Sequence, residues 1–111
     1  MATFVRGSVV VTPFPFSDLS QTKRRPAFVV TSLPGDDLLL CQITSQSSMD
    51  PYAIEIQDDD FLMGGLYRMS YVRVGKLFTA DKSIILYVAG QVKPEKTEEI
   101  ITKTIEVIQG I

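Results

Sequence analysis

The 111-residue sequence contains no histidine or tryptophan and only one cysteine. Histidine is the commonest general acid and base, so its absence excludes a Ser-His-Asp triad and a histidine-pair ribonuclease. With a single cysteine as well, a zinc site is nearly excluded, and we expect no bound metal. Cys41 lies in the apolar run LLLCQI, which predicts a buried, unreactive thiol in a protein of the reducing cytoplasm.

Long apolar segments are also absent. No stretch approaches the ~20 apolar residues that span a membrane, and the opening MATFVRGSVVV lacks the features of a secretory signal. We expect one domain over residues 1–111, with no membrane partner. The net charge of −2 excludes a protein that coats nucleic acid through bulk positive charge. Basic residues nevertheless outnumber acidic ones before residue 46, which allows a local positive patch on an acidic body.

β-Branched and aromatic residues recur in short runs that are separated by turn signals. This pattern predicts five or six strands, at residues 8–14, 26–32, 38–45, 52–56, 70–79 and 84–92. The last segment is interpreted either as one strand or as a short turn followed by a strand. The three aspartates that open the segment DDDFLMGG are consecutive and do not face one point. A short helical turn with an aspartate cap is therefore favoured there over a metal cluster.

A change of period at Pro94 predicts a C-terminal helix. Proline suits the first helical position, glutamates follow in the first turns, and Gly110 provides the stop. Ile101, Ile105 and Ile108 form the cleanest apolar stripe and are expected to face the core. The expected fold class is mainly β: a small antiparallel barrel or sandwich with a short helical turn and a C-terminal α-helix.

The first candidate for function is the basic triplet Lys23-Arg24-Arg25, which precedes Pro26. We expect residues 17–25 to form a polar loop, with Arg25 held at the mouth of the next strand because proline restricts the residue before it. A guanidinium held in this way can bind a phosphate through two hydrogen bonds. The alternative is a solvated loop of positive charge without a ligand.

The second candidate is the polar segment that begins with Thr44, Ser45 and Gln46 at the end of the third predicted strand. If the second and third strands are antiparallel neighbours, Arg25 begins one and Thr44 ends the other. Both then lie at the same end of the sheet. Hydroxyl and amide groups at that place can bind phosphate or sugar, and the alternative is a turn rich in serine and threonine.

The third candidate is Arg73, in the middle of the strand predicted at residues 70–79. It shares a face with Tyr71, whereas strict alternation puts Lys76 on the opposite face. Arg73 is interpreted either as a second phosphate contact or as a surface arginine paired with Glu55 or an aspartate.

Several segments, taken in order, resemble the MazF/PemK toxins of prokaryotic type II toxin–antitoxin modules, and most closely the PemK-like branch. These segments are GSVVVTPFPFSDLSQTKRRPAFVVTS, LLLCQITSQ, DPYAIEI and SYVRVGKLFT. The resemblance spans nearly the whole chain. It implies an SH3-like barrel that works as a homodimer and cleaves single-stranded mRNA at specific sequences, without a metal or other cofactor. It also implies a 2′,3′-cyclic phosphate product, a cognate antitoxin partner and, through the antitoxin complex, operator DNA.

The resemblance further implies roles for individual residues. Arg25 and Thr44 match the family's catalytic residues. The implied RNA-binding residues are Ser17, Asp18, Ser20, Gln21, Lys23, Arg24, Ser45, Gln46 and Arg73. Ser20 stands where some members carry a glutamate, and Asp18 is the only nearby substitute. Two other functions stay open: a toxin of the same fold that inhibits a protein such as a topoisomerase, and an inactive module that binds antitoxin and operator DNA.

Overall fold

The computed structural model describes residues 4–15, 22–46 and 49–110. This part of the chain folds into seven strands, one α-helix and two short 3-10 turns. The strands are β1 (Ser8–Pro15), β2 (Thr22–Ser32), β3 (Asp37–Thr44), β4 (Ile54–Ile56), β5 (Phe61–Gly64), β6 (Ser70–Asp81) and β7 (Tyr87–Val92). Helix α1 is Pro94–Gln109, and the 3-10 turns are Asp58–Asp60 and Lys82–Ile84.

The strands form one sheet in the order β4-β6-β3-β2-β1-β7-β5, and each neighbouring pair is antiparallel. Several of the registers shift within a ladder. Such bulges bend and twist a strand, and the sheet curls into a half-barrel. The predicted mainly-β fold with a C-terminal helix is confirmed, although the sheet has seven strands rather than five or six.

Strand alternation divides the core into two clusters on opposite faces of the sheet. The helix-side cluster includes Phe28 and Cys41 and also takes in Ile100 of α1. The second cluster, on the other face, includes Ala27 and Leu40. Because both faces of β3 are buried, its sequence is a nearly continuous apolar run rather than an alternating one.

The single cysteine is buried, as the sequence predicted. Burial raises the pKa of the Cys41 thiol to about 11, although a hydrogen bond with the Thr104 side chain acts in the opposite direction. The reactive thiolate form is therefore scarce at neutral pH.

Strand β2 begins at Thr22 rather than at Pro26, so the basic triplet lies in a strand and the predicted loop was wrong for these residues. Pro26 is paired with Val11 of β1. The ladder with β3, however, ends at Ala27. Between Thr22 and Pro26, β2 is therefore paired with β1 only. Proline, which has no N–H to donate, is tolerated at such an edge-like position.

Strand β5 was not predicted. The helical turn expected over DDDFLMGG is present only at Asp58–Asp60, and its N-cap residue is Gln57 rather than an aspartate. The chain then extends as Phe61–Gly64 and pairs with β7. A strand of four residues that ends in glycine carries no alternating pattern that would reveal it in the sequence.

Helix α1 turns only part of the predicted stripe to the core: Ile101 packs against the helix-side cluster, and the two later isoleucines do not. Ile100 and Thr104 are buried, whereas Ile105 and Ile108 are 48% and 66% exposed. The Thr104 hydroxyl donates to the Ile100 carbonyl at 2.7 Å, so burial leaves it satisfied. The sequence favoured the isoleucines because a threonine was not counted as a core residue. Within the described ranges, no helix is long and apolar enough to cross a membrane.

Candidate functional site

Arg25 and Thr44 lie at the same end of neighbouring strands. The antiparallel register of β2 and β3 pairs Ala27 with Gln42. Arg25 and Thr44 each lie two residues beyond this last pair, and alternation along each strand puts their side chains on the same face as Ala27 and Gln42. Both side chains are half-buried. The predicted placement of these two residues at one end of the sheet is therefore confirmed.

Two residues extend this row on either side. Thr12 of β1 is paired with Arg25, and Tyr71 of β6 is paired with Thr44. Thr12 is fully buried, and its hydroxyl oxygen has no hydrogen-bond partner within the part of the chain that the structure describes. Sequence reasoning missed Thr12, because only the register between β1 and β2 reveals that it faces Arg25.

The Thr44 hydroxyl is oriented by the turn that follows it. Its oxygen accepts a hydrogen bond from the Gln46 backbone N–H at 3.2 Å. A hydroxyl that accepts one bond can still donate its own hydrogen, so Thr44 can act as a positioned donor. Ser45 and Gln46 are exposed beside it.

Arg73 forms an ion pair with Asp50. The Arg73 Nε–H donates to Asp50 Oδ2 at 3.1 Å, and the two side chains are 27% and 11% exposed. Of the two interpretations given for Arg73, pairing with an aspartate is the one observed. The bond uses one of the five N–H donors of a guanidinium. Arg73 is itself paired with Gln42 across the sheet, which puts it on the face that carries Thr44.

The Asp50 carboxylate, which sequence analysis did not single out, is held in its charged form. Partial burial acts to raise its pKa, but the Tyr52 backbone N–H and the Arg73 guanidinium hydrogen-bond to it. Together with the charges of Arg73 and Lys76, these bonds outweigh burial, so the pKa of Asp50 lies below its usual value.

Lys76 lies on the same side as Arg73, and the predicted opposite placement was wrong. The register between β3 and β6 shifts between Cys41 and Gln42, so β6 carries extra residues there and its alternation is broken. Lys76 consequently lines a groove of about 420 Å³ together with Thr12 and Gln42. Gly75 lies among these extra residues, and a glycine inside a strand pattern is the signal that could have indicated the bulge.

The basic triplet is divided between the two faces of β2. Alternation along the strand sends Arg24 to the face opposite Arg25. There Arg24 lines a second groove of about 490 Å³ together with Ser45, and Lys23 is exposed. The structure therefore separates predicted RNA-binding residues that are adjacent in sequence. Four others, Ser17, Asp18, Ser20 and Gln21, lie outside the described residues.

The row around Arg25 is suited to binding an anion. It combines a half-buried guanidinium, an oriented hydroxyl and two nearby cations, Arg73 and Lys76, one of which is balanced by Asp50. Such donors bind a phosphate and stabilise negative charge. Among the described residues, no group of three or more Cys, Asp or Glu side chains is placed to hold one metal ion.

Several solved structures share this fold. The chain is similar to an endoribonuclease in complex with its cognate antitoxin from a mycobacterial species, at 19% identity over 98% of this chain and 97% of that chain, with a TM-score of 0.72. MazE–MazF from Deinococcus radiodurans (Form-III) matches at 18% identity over 96% of each chain, with a TM-score of 0.69. Mycobacterium tuberculosis toxin MazF-mt6 matches at 14% identity over 92% and 97%, with a TM-score of 0.66. At these identities the likeness shows the MazF fold.

The family follows from the sequence itself. The model of the PemK-like, MazF-like toxins of type II toxin–antitoxin systems matches residues 5–108. The chain belongs to this family. A comparison with curated proteins found no significant match.

Proposed function

We propose that this protein is a toxin that cleaves single-stranded mRNA at specific sequences without a metal ion. The observation that carries the proposal is the convergence of Arg25 and Thr44 on one face at one end of the sheet. Family membership and the endoribonuclease described among the structural matches support the same activity. We place the protein in the cytoplasm, where mRNA is found.

The proposed reaction needs only the RNA, these side chains and solvent water to carry protons. The ribose 2′-hydroxyl gives up its proton to water as its oxygen attacks the adjacent phosphorus, the bond from phosphorus to the 5′-oxygen breaks, and the 5′-oxygen takes up a proton from water. The products are a 2′,3′-cyclic phosphate and a 5′-hydroxyl. The guanidinium of Arg25 acts as the clamp on the charged phosphorane, where one preorganised donor contributes about 3–4 kcal/mol. Thr44 holds the phosphate or the 2′-hydroxyl in line.

Two other cations on the face that carries Arg25 and Thr44 contribute to substrate binding. Lys76 and Arg73 lie beside the Arg25–Thr44 row and can bind flanking phosphates. A homodimer brings two such sets together, which offsets the net charge of −2 on each chain.

We further propose a cognate antitoxin as the partner that holds the toxin inactive. Two solved relatives, one mycobacterial and one from Deinococcus radiodurans, are bound to antitoxins. An acidic, disordered or helical segment suits the basic face described above and would compete with RNA there. Operator DNA would be reached through that complex.

The test is cleavage of a long single-stranded RNA in excess EDTA by purified protein free of antitoxin. We expect discrete cuts from the wild type and a loss of about 100- to 1000-fold in kcat for Arg25→Ala, with a clear loss for Thr44→Ala. Thr102→Ala and Lys103→Ala, which alter side chains on α1 away from the row, should cleave at the wild-type rate.

Two results would contradict this function. Cuts that persist in both site variants mean a contaminating nuclease or a misplaced site. A folded wild type that makes no cuts favours a toxin that acts on a protein, such as a topoisomerase, and inhibition of that target would then be assayed directly.

A further inference from the structure

The groove of about 490 Å³ that contains Arg24 lies on the helix-side face, opposite the Arg25–Thr44 row, at the same end of the sheet. Its floor is the cross-strand pair of Val11 and Pro26. Ser45, the residue after Thr44, lines its rim. The two faces therefore meet at the ends of β2 and β3, with Arg24 and Arg25 on either side.

The far wall of this groove combines aromatic and basic side chains. The segment between β5 and β6 contributes Tyr67 and Arg68, and β7 contributes Tyr87. We call this the tyrosine–arginine groove. The described residues that line it include two arginines and no aspartate or glutamate, although acidic residues outnumber basic ones in the chain as a whole.

Neither tyrosine serves the core. Tyr67 is fully exposed and Tyr87 is 53% exposed. Aromatic rings presented to solvent beside arginines are the arrangement that binds single-stranded nucleic acid, because bases stack on the rings and the cations hold the phosphates. An acidic peptide would use the two arginines but has no need of exposed, flat rings.

We propose that the tyrosine–arginine groove binds the single-stranded RNA that flanks the cleavage site. Bases stack on Tyr67 and Tyr87, while Arg24 and Arg68 hold the phosphates. Because Arg24 and Arg25 are consecutive, the RNA backbone passes from the cleavage face to this groove around the end of β2. This inference rests on the proposed nuclease function, and it adds a second binding surface to it.

The test compares two oligonucleotides that carry 2′-O-methyl groups and so cannot be cut. One covers only the mapped cleavage site, and the other extends beyond it on both sides. Fluorescence anisotropy should show that Tyr67→Ala and Arg68→Ala each weaken binding of the extended RNA by about fivefold or more. Binding of the short RNA should be unchanged. Arg68→Ala should also reduce the slope of log K against log salt by about 0.7.

Matched controls alter surface residues outside the groove. Leu62→Ala removes another exposed apolar side chain and Lys103→Ala another cation, and both should bind the extended RNA as the wild type does. Since Tyr67 and Arg68 lie on the surface, their variants are expected to fold, which circular dichroism would check.

The outcomes separate this inference from the nuclease function. If the extended RNA binds the groove variants as tightly as it binds the wild type, the inference is overturned, even if Arg25→Ala abolishes cleavage. Loss of binding to an acidic antitoxin peptide, with RNA binding intact, would assign the groove to a protein and also overturn it. If the wild type makes no cuts, the nuclease function falls and no site can be mapped. A long unstructured RNA then replaces the extended oligonucleotide, and groove variants that bind it as tightly as the wild type does overturn the inference separately.

Discussion

Asp50 alone changes the net charge beside the candidate site, through its ion pair with Arg73. The ion pair balances one cation next to the Arg25–Thr44 row. It also fixes the guanidinium of Arg73 on the site face, so the side chain need not be ordered when a ligand arrives.

At the residue scale, Asp50→Asn should lower stability in a pH-dependent way. The pKa of Asp50 is lower in the folded protein than its ordinary value. Its contribution is therefore present above the unfolded pKa of about 3.9 and is lost as the pH falls through the lower folded pKa. At pH 7 we expect the variant to be less stable by about 0.5–1 kcal/mol.

Urea unfolding at neutral and acidic pH measures this difference. The gap between wild type and Asp50→Asn should close as the pH falls below about 4, whereas Asp59→Asn, an exposed aspartate with no ion pair to Arg73, should show no such gap. A gap that is the same at every pH would mean that Asp50 contributes through packing or shape rather than through its charge.

At the scale of elements, β5 depends on a close approach of two strands. Gly64 has a φ of +68°, and a β-carbon there would collide with the Ala89 carbonyl oxygen of β7. A backbone that L side chains rarely adopt and a collision with a neighbouring main chain act together at this position.

Gly64→Ala should therefore destabilise the protein by about 2 kcal/mol or more. Gly75→Ala is the matched control, because no atom lies within 4 Å of its added β-carbon and its φ is not positive. We expect its change in unfolding free energy to stay within about 0.5 kcal/mol. Equal losses in the two variants would show that strand propensity, and not the approach of β5 to β7, governs these positions.

At the scale of the whole molecule, the strands of one sheet are expected to unfold together. Neighbours in the sheet such as β1 with β7, and β3 with β6, are distant in sequence, so removing one strand exposes the core on which the others depend. The fold has two core clusters, but the same central strands contribute to both.

Thermal or urea unfolding should accordingly give one transition, with coincident curves from far-ultraviolet circular dichroism and tyrosine fluorescence. Because we propose a homodimer, the midpoint should rise with protein concentration. Two separate transitions would contradict a single domain, and a midpoint independent of concentration would contradict a dimer that dissociates on unfolding.

The sequence predicted the elements whose signal is local. β-Branched runs marked most strands, and Pro94 and Gly110 marked the ends of α1, where the structure finds them. The sequence also predicted that Arg25 and Thr44 lie at the same end of the sheet. The start of one strand and the end of the next must be neighbours when the two strands are antiparallel.

Other features depended on which strands become neighbours. Strand β5 forms because β7 pairs with it. Lys76 lies on the face opposite to the predicted one because β6 has a bulge where it pairs with β3. The buried face of α1 was decided in the same way, since Thr104 can be buried once its hydroxyl bonds to the helix.

The sequence by itself thus determined the mainly-β class, the C-terminal helix, the family and the placement of Arg25 and Thr44 at one end of the sheet. Composition, turn residues and local periodicity are local properties of the sequence, and they do not depend on which segments become neighbours in the fold. Only the tertiary structure decided that Arg24 and Arg25 serve opposite faces and that Tyr67 and Tyr87 stand beside Arg24. These relations join residues far apart in sequence, and they arise from strand order, register and bulges, which are set when the sheet closes on its core.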